Sequence, residues 1–160
     1  MNIALVAHDS RKNELLDWVL YNRNVLTQHN LYATGTTGKL IEEMPVLESM
    51  CNMERCVSYP FKNNVSKLLS GPLGGDQQIG AMIAEGSIDV LIFFCDNLAV
   101  QGHQNDVSAL GRLASLYNIA YATNRTTADM IITSPLFGSE NYDRILPDAI
   151  EKYRTRNINF

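Results

Sequence analysis

The chain has 160 residues, 46% of them hydrophobic, with 13 basic and 17 acidic side chains and a formal net charge of −4. That length supports a single domain spanning 1–160 with a substantial core and falls short of an ordinary two-domain protein. Charges of both signs are scattered, so there is no basic stripe for nucleic acid, and no apolar stretch approaches the roughly 18 residues of a membrane span.

The start, Met1-Asn2-Ile3-Ala4-Leu5, lacks the basic-then-apolar layout of a signal peptide, and the first apolar, β-rich run covers residues 3–7. It ends in His8-Asp9-Ser10. His8 there reads equally as a structural hydrogen-bonding ring or as a ligand contact. Leu15, Leu16, Val19 and Leu20 then form the stripe of an amphipathic helix. Lys12, one turn into it, is either a solvated lysine or a point charge for a phosphate at the strand end.

His29 precedes the second run, residues 31–33, without polar company and reads as structural. After that run, Thr34-Gly35-Thr36-Thr37-Gly38-Lys39 offers three hydroxyls, free amides and a helix start, the ingredients of a phosphate cradle. It is no nucleotide P-loop, because Ala33 and Leu40 stand where that motif needs Gly and Ser or Thr. Leu40, Ile41 and Met44 are expected to continue the helix.

The connection 42–64, with Pro45 and Pro60, exceeds the usual loop length of about 12 to 15 residues. It holds Cys51 and Cys56, separated by four residues, and no second pair or histidine cluster completes a metal site. With Cys95 the cysteine count is odd and suggests no disulfide framework, so reduced thiols and a cytosolic protein are expected.

A third run, 65–69, leads into Ser70-Gly71-Pro72-Leu73-Gly74-Gly75-Asp76-Gln77-Gln78. Missing side chains there let backbone N–H groups approach an anion, and the following helix adds its positive end. Asp76 alone reads as the N-cap of the helix through Ala81, Met82 and Ile83; beside a bound anion it reads as a general base. Gly86 after Glu85 marks that helix's stop.

The fourth run, 90–94, precedes a loop from Asp96 that carries His103 and Asp106. Asp106 taken singly caps a helix starting at Val107, whose stripe is Leu110, Leu113, Ala114 and Tyr117. The fifth run, 119–122, ends in Thr123-Asn124-Arg125. No strand end carries Gly-x-Gly-x-x-Gly, which argues against a dinucleotide.

Short, continuously apolar strands alternating with helices predict a three-layer α/β/α fold with a parallel five-stranded sheet, doubly wound in the flavodoxin-like manner. The polar segments all follow strands, so five loops are expected to converge on one cleft at the carboxyl edge. A base, an imidazole with a carboxylate partner and a phosphate cradle together suggest enolisation of a small phosphorylated molecule.

Ala4-Leu5-Val6-Ala7-His8-Asp9, Tyr32-Ala33-Thr34-Gly35-Thr36-Thr37-Gly38, the Ser70 to Gln78 segment, and Ala122-Thr123-Asn124 with Thr127-Ala128-Asp129 resemble the methylglyoxal synthase family over nearly the whole chain. The resemblance implies that family's fold and a lyase that converts dihydroxyacetone phosphate to methylglyoxal and inorganic phosphate without metal or organic cofactor. It implies Asp76 as the base and His103, tuned by Asp106, as the group on the carbonyl and hydroxyl oxygens. His8, Lys12, Thr34, Gly35, Thr36, Thr37, Ser70 and Gly71 would hold the substrate, with Asp9, Gly74, Gly75 and Asp96 in support. A homohexamer inhibited allosterically by phosphate is likewise implied. The same fold also serves as an effector-binding module in carbamoyl-phosphate synthetase, and that non-catalytic role is the alternative. The chain departs from the family's usual pattern in lacking prolines after Asp96 and before His103, and in a longer segment at about 45–64; a more mobile His103 loop is expected.

Overall fold

The computed structural model describes residues 1–49, 55–98 and 104–156, with 48, 49, 55 and 104–106 described by backbone alone. Its strands are β1 (Asn2–Ala7), β2 (Asn30–Thr34), β3 (Val46–Ser49), β4 (Arg55–Ser58), β5 (Val65–Leu68), β6 (Val90–Phe94) and β7 (Ala120–Ala122). The helices are α1 (Lys12–Tyr21), α2 (Arg23–Leu26), α3 (Gly35–Glu42), α4 (Gly75–Ala84), α5 (Gln104–Leu116), α6 (Arg125–Ile132) and α7 (Asp148–Thr155). The expected five runs form one parallel sheet in the order β5-β2-β1-β6-β7.

Numbered among the parallel strands alone, that order is 3-2-1-4-5, whereas a flavodoxin-like sheet runs 2-1-3-4-5. The doubly wound, three-layer expectation holds, with the strands laid in a different order from flavodoxin's. The chain lays β2 and then β5 to one side of β1 before crossing to β6, so the winding reverses between β1 and β6. The crevice above that reversal is where such sheets bind ligands.

β1 from Ile3 onward and β6 are apolar throughout because both faces are covered. Ile3, Leu5, Ile92 and Phe94 pack with Leu15, Trp18 and Val19 of α1, Ile41 of α3 and Ala128 of α6. Ala4, Val6, Leu91 and Phe93 face the opposite layer, with Ile79 and Ile83 of α4 and Leu110 and Ala114 of α5. The period-2 alternation of strands thus feeds two cores.

Trp18, 1% exposed, closes the first core and donates its indole N–H to Asp129 at 2.8 Å, tying α1 to α6. Replacing Trp18 by phenylalanine leaves a void and removes a hydrogen bond to a carboxylate, so unfolding stability is expected to fall by about 2 to 3 kcal/mol. Urea unfolding followed by circular dichroism measures this, since Trp18 is the only tryptophan.

Two local expectations are corrected. The helix after β2 stops at Glu42, with Glu43 as its cap, so Met44 lies beyond it and packs on the first core instead. Asp106 is no cap of a helix from Val107, because α5 already begins at Gln104. The long 42–64 connection folds locally, β3 and β4 pairing antiparallel as a hairpin. The Gly86 stop is found as read. Its N–H bonds to Ile83 O, and the Ser87 N–H bonds to Met82 O, the paired closure that a left-handed residue (φ 81°) permits. His29 packs edge-on against Phe137 with ring centroids 5.3 Å apart, a structural place in which burial pulls its pKa below the ordinary histidine value. Among the described residues no helix is long and apolar enough to cross a membrane.

Candidate active site

The carboxyl ends of β1, β2, β5 and β6 open onto a cavity of about 290 Å³, at the lower limit for small-molecule sites. Its polar lining is His8, Asp9, Lys12, Thr34, Thr36, Thr37, Ser70, Gly71 and Asp76. Pro72, Phe93 and Val107 supply apolar wall, which the polar motifs gave no reason to single out; the alternation of β6, placing Phe93 with Leu91 on the α4–α5 face, was the available signal. The fifth loop does not line the cavity. It follows the edge strand β7, and Asn124 there caps α6, its side chain accepting the Thr127 N–H at 3.0 Å.

One wall is built by α3. Thr34 caps the helix by backbone alone, with no side-chain bond to the first turn, and the Gly35 N–H bonds Leu69 O at 3.2 Å. The first-turn N–H groups of Thr36 and Thr37 have no intrahelical acceptor, as at any helix start, and both residues line the cavity. Thr37 is 1% exposed, and its buried hydroxyl has no hydrogen-bond partner among the described residues. A buried orphan hydroxyl costs about 1 to 3 kcal/mol and marks a place where a ligand's acceptor belongs. Replacing Thr37 by valine is therefore expected to leave stability unchanged or slightly raised, and to weaken phosphate binding about tenfold. Thermal melting and phosphate titration of the same two proteins measure both effects.

The opposite wall is the turn between β5 and α4. Ser70 starts a single 3-10 turn, Gly71–Leu73, and its carbonyl accepts the N–H groups of Leu73 and Gly75. Gly74, at φ 103°, is the N-cap of α4, which begins at Gly75. Asp76 is therefore not the cap; it lies inside the first turn, 7% exposed, with its carboxylate turned to the cavity. Gly71 makes room for it, since a Cβ at that position would stand 3.1 Å from Oδ2. The helix's positive end favours the charged carboxylate.

Lys12 opens α1 and reaches the cavity from the β1 side, its ammonium 2.6 Å from Asp9 Oδ1. Lys12 holds the Asp9 carboxyl below its usual pKa, through their hydrogen bond first and their charge attraction second. His8 accepts the backbone N–H of Asp96 on Nδ1 at 2.7 Å, and Ser10 donates its hydroxyl to Asp96. Asp96 thus holds the segment that leaves β6 and does not line the cavity itself. Asp106 is placed in the first turn of α5, one residue before the lining Val107, by backbone. His103 lies outside the described residues.

The cavity brings together a buried carboxylate, a lysine, an imidazole, and hydroxyls and amides at one helix start. That set accommodates a phosphate ester and places a base beside it.

Comparison with known proteins agrees. Residues 56–123 match the family model of the MGS-like domain. A methylglyoxal synthase of Maridesulfovibrio salexigens is 57% identical over 139 residues, covering 87% of each chain. One of Yersinia enterocolitica is 47% identical over 156 residues, 94% of this chain and 92% of its own. The crystal structure of methylglyoxal synthase from Elizabethkingia anophelis superposes with a TM-score of 0.78 at 45% identity, covering 99% of this chain and 92% of that one.

Proposed function

Because the chain belongs to the methylglyoxal synthase family, it is a lyase that converts dihydroxyacetone phosphate to methylglyoxal and inorganic phosphate, and we propose that Asp76 is its base. The observation that carries this assignment is the burial of one carboxylate in the wall of the cavity that the orphan hydroxyl of Thr37 and the start of α3 also line.

Lys12, His8, Thr34, Thr36, Thr37, Ser70 and Gly71 hold the phosphate and the triose, with Gly35, Gly74 and Gly75 shaping the backbone behind them. Substrate filling the cavity removes water from Asp76 and makes the carboxylate a stronger base. Asp76 takes a proton from the hydroxymethyl carbon, and charge grows on the carbonyl oxygen. His103, positioned by Asp106, supports that charge and gives an enediolate phosphate. The terminal hydroxyl passes its proton to the neighbouring oxygen as its carbon becomes the aldehyde C=O, the π pair shifts onto the bond to the ester carbon, and the ester C–O bond breaks with its electron pair leaving on phosphate. Protonation of the enol that remains completes the methyl group of methylglyoxal.

For elimination, the C–O bond must stand out of the enediolate plane so that it overlaps the π system. The two walls grip the phosphate from α3 and from the Ser70–Gly71 turn, and this grip is what sets that torsion. An in-plane ester bond favours isomerisation instead.

Purified protein given dihydroxyacetone phosphate tests the reaction: methylglyoxal and phosphate should appear in equal amounts. Phosphate binding without release of methylglyoxal would instead match an effector-binding module of this fold. A homohexamer, inhibition by phosphate and a cytoplasmic location complete the proposal. The exposed apolar residues Leu47, Val57 and Tyr59 on and beside the hairpin support self-association, which sedimentation velocity measures.

A further inference from the structure

His8 stands between the cavity and the segment that leads towards His103, and its two ring nitrogens have different tasks. Nδ1 accepts the backbone N–H of Asp96 at 2.7 Å. A backbone N–H only donates, so Nδ1 holds a lone pair and the proton of the neutral ring sits on Nε2. The ring is fixed from behind. The His8 N–H bonds Phe94 O at 3.2 Å, and the imidazole packs edge-on against Phe93 with centroids 5.1 Å apart. Asp96 is fixed in turn, because one carboxylate oxygen accepts the Ser10 hydroxyl and the other accepts the Leu98 N–H at 3.0 Å.

We propose that His8 binds the substrate as a neutral Nε2–H donor and, through Nδ1, is the positioning residue that holds the root of the segment bearing His103. The proposal rests on the reading of the cavity as a phosphate ester site. A proton on Nδ1 would face the Asp96 N–H donor to donor at 2.7 Å, so a charged His8 and an anchored Asp96 exclude one another. The charged groups around the ring are Lys12 on α1, Asp9 in the turn before it, Asp76 on α4 and Asp96 after β6. Among these the one cation to meet the ligand's negative charge is Lys12, and the other three are carboxylates.

The two bonds of His8 also reinforce each other. Donation from Nε2 to an anion raises electron density at Nδ1 and strengthens its bond from Asp96. Bound phosphate therefore strengthens the hold on Asp96, across 88 residues of sequence.

Nitrogen-15 spectra of histidine-labelled protein saturated with inorganic phosphate at neutral pH test the tautomer, with the His8→Asn spectrum assigning the signal among three histidines. The expected result is a neutral ring protonated on Nε2; an imidazolium overturns the proposal. Two variants test the anchoring. In His8→Asn the side-chain oxygen stands near Nδ1 and keeps the bond to Asp96 while losing the donor. His8→Gln puts an amide near Nε2 and loses the anchor. The expected split is KM and the phosphate Kd rising about tenfold in the first, and kcat falling about tenfold in the second.

Equal changes in the same parameter overturn the anchoring role. If the ring is neutral and neither variant weakens phosphate binding, the coupling fails even where the lyase reaction stands. Circular dichroism establishes that each variant is folded, and should either unfold, the wild-type spectrum decides.

Discussion

Asp76→Asn is expected to lower kcat by about 10³-fold while inorganic phosphate binds at least as well as before. The substitution keeps the volume of a side chain that is 7% exposed and removes only its basicity and charge. Because that charge lies in the same cavity as the phosphate, its loss relieves repulsion, so affinity has no reason to fall. Stability should drop modestly, by up to about 1 kcal/mol, since a carboxylate in the first turn of α4 favours the helix dipole. A carboxylate serving only as a helix-start acid would show that stability loss with kcat unchanged. Steady-state kinetics, phosphate titration and thermal melting of one protein pair separate the two roles.

Gly75→Ala is expected to cost about 3 kcal/mol of stability or more and to take activity with it. A Cβ there would stand 2.0 Å from Leu69 O and 2.9 Å from its carbonyl carbon. Both atoms are backbone, so no side chain turns aside to relieve the contact. Gly35 meets the same strand exit from the other side, its added Cβ 2.9 Å from Ser70 Cα. Leu69 and Ser70 therefore run between two helix starts packed without space for a methyl group. Pushing them apart separates the Thr36–Thr37 wall from the Ser70–Asp76 wall, which is the grip on the phosphate. Gly86→Ala is the control: nothing lies within 4 Å of its added Cβ, and the cost is the left-handed backbone alone, about 1 to 2 kcal/mol. Urea unfolding midpoints should rank Gly75→Ala well below Gly86→Ala, with dihydroxyacetone phosphate turnover retained only in the latter.

β1 and β6 were the most legible strands because they are buried on both faces, which leaves runs from Ile3 and Val90 with no polar interruption. The carboxyl-edge placement of the motifs followed from parallel strands alone. Strand order was not legible, since no local pattern says on which side of β1 the next strand is laid. The role of Asp76 shows another limit. Asp76 after two glycines looks like a cap, but Gly74 adopts a left-handed conformation after the 3-10 turn and starts the helix before it, moving Asp76 into the first turn. The fifth loop looked like the others in composition and is spent on capping α6. The bonds from Asp96 to His8 and Ser10 join segments 88 and 86 residues apart, and no spacing announces them. Thr37's orphan hydroxyl, the sign of a ligand, exists only once the helix is packed.

The most direct test of Asp76 as the base uses dihydroxyacetone phosphate deuterated at the hydroxymethyl carbon or at the ester carbon, given to the wild type and to Asp76→Asn. The wild type should release one deuterium to water per methylglyoxal from the first substrate and none from the second, and Asp76→Asn should bind both and release deuterium from the first about 10³-fold more slowly. Deuterium release from the hydroxymethyl carbon by Asp76→Asn at the wild-type rate would contradict the assignment.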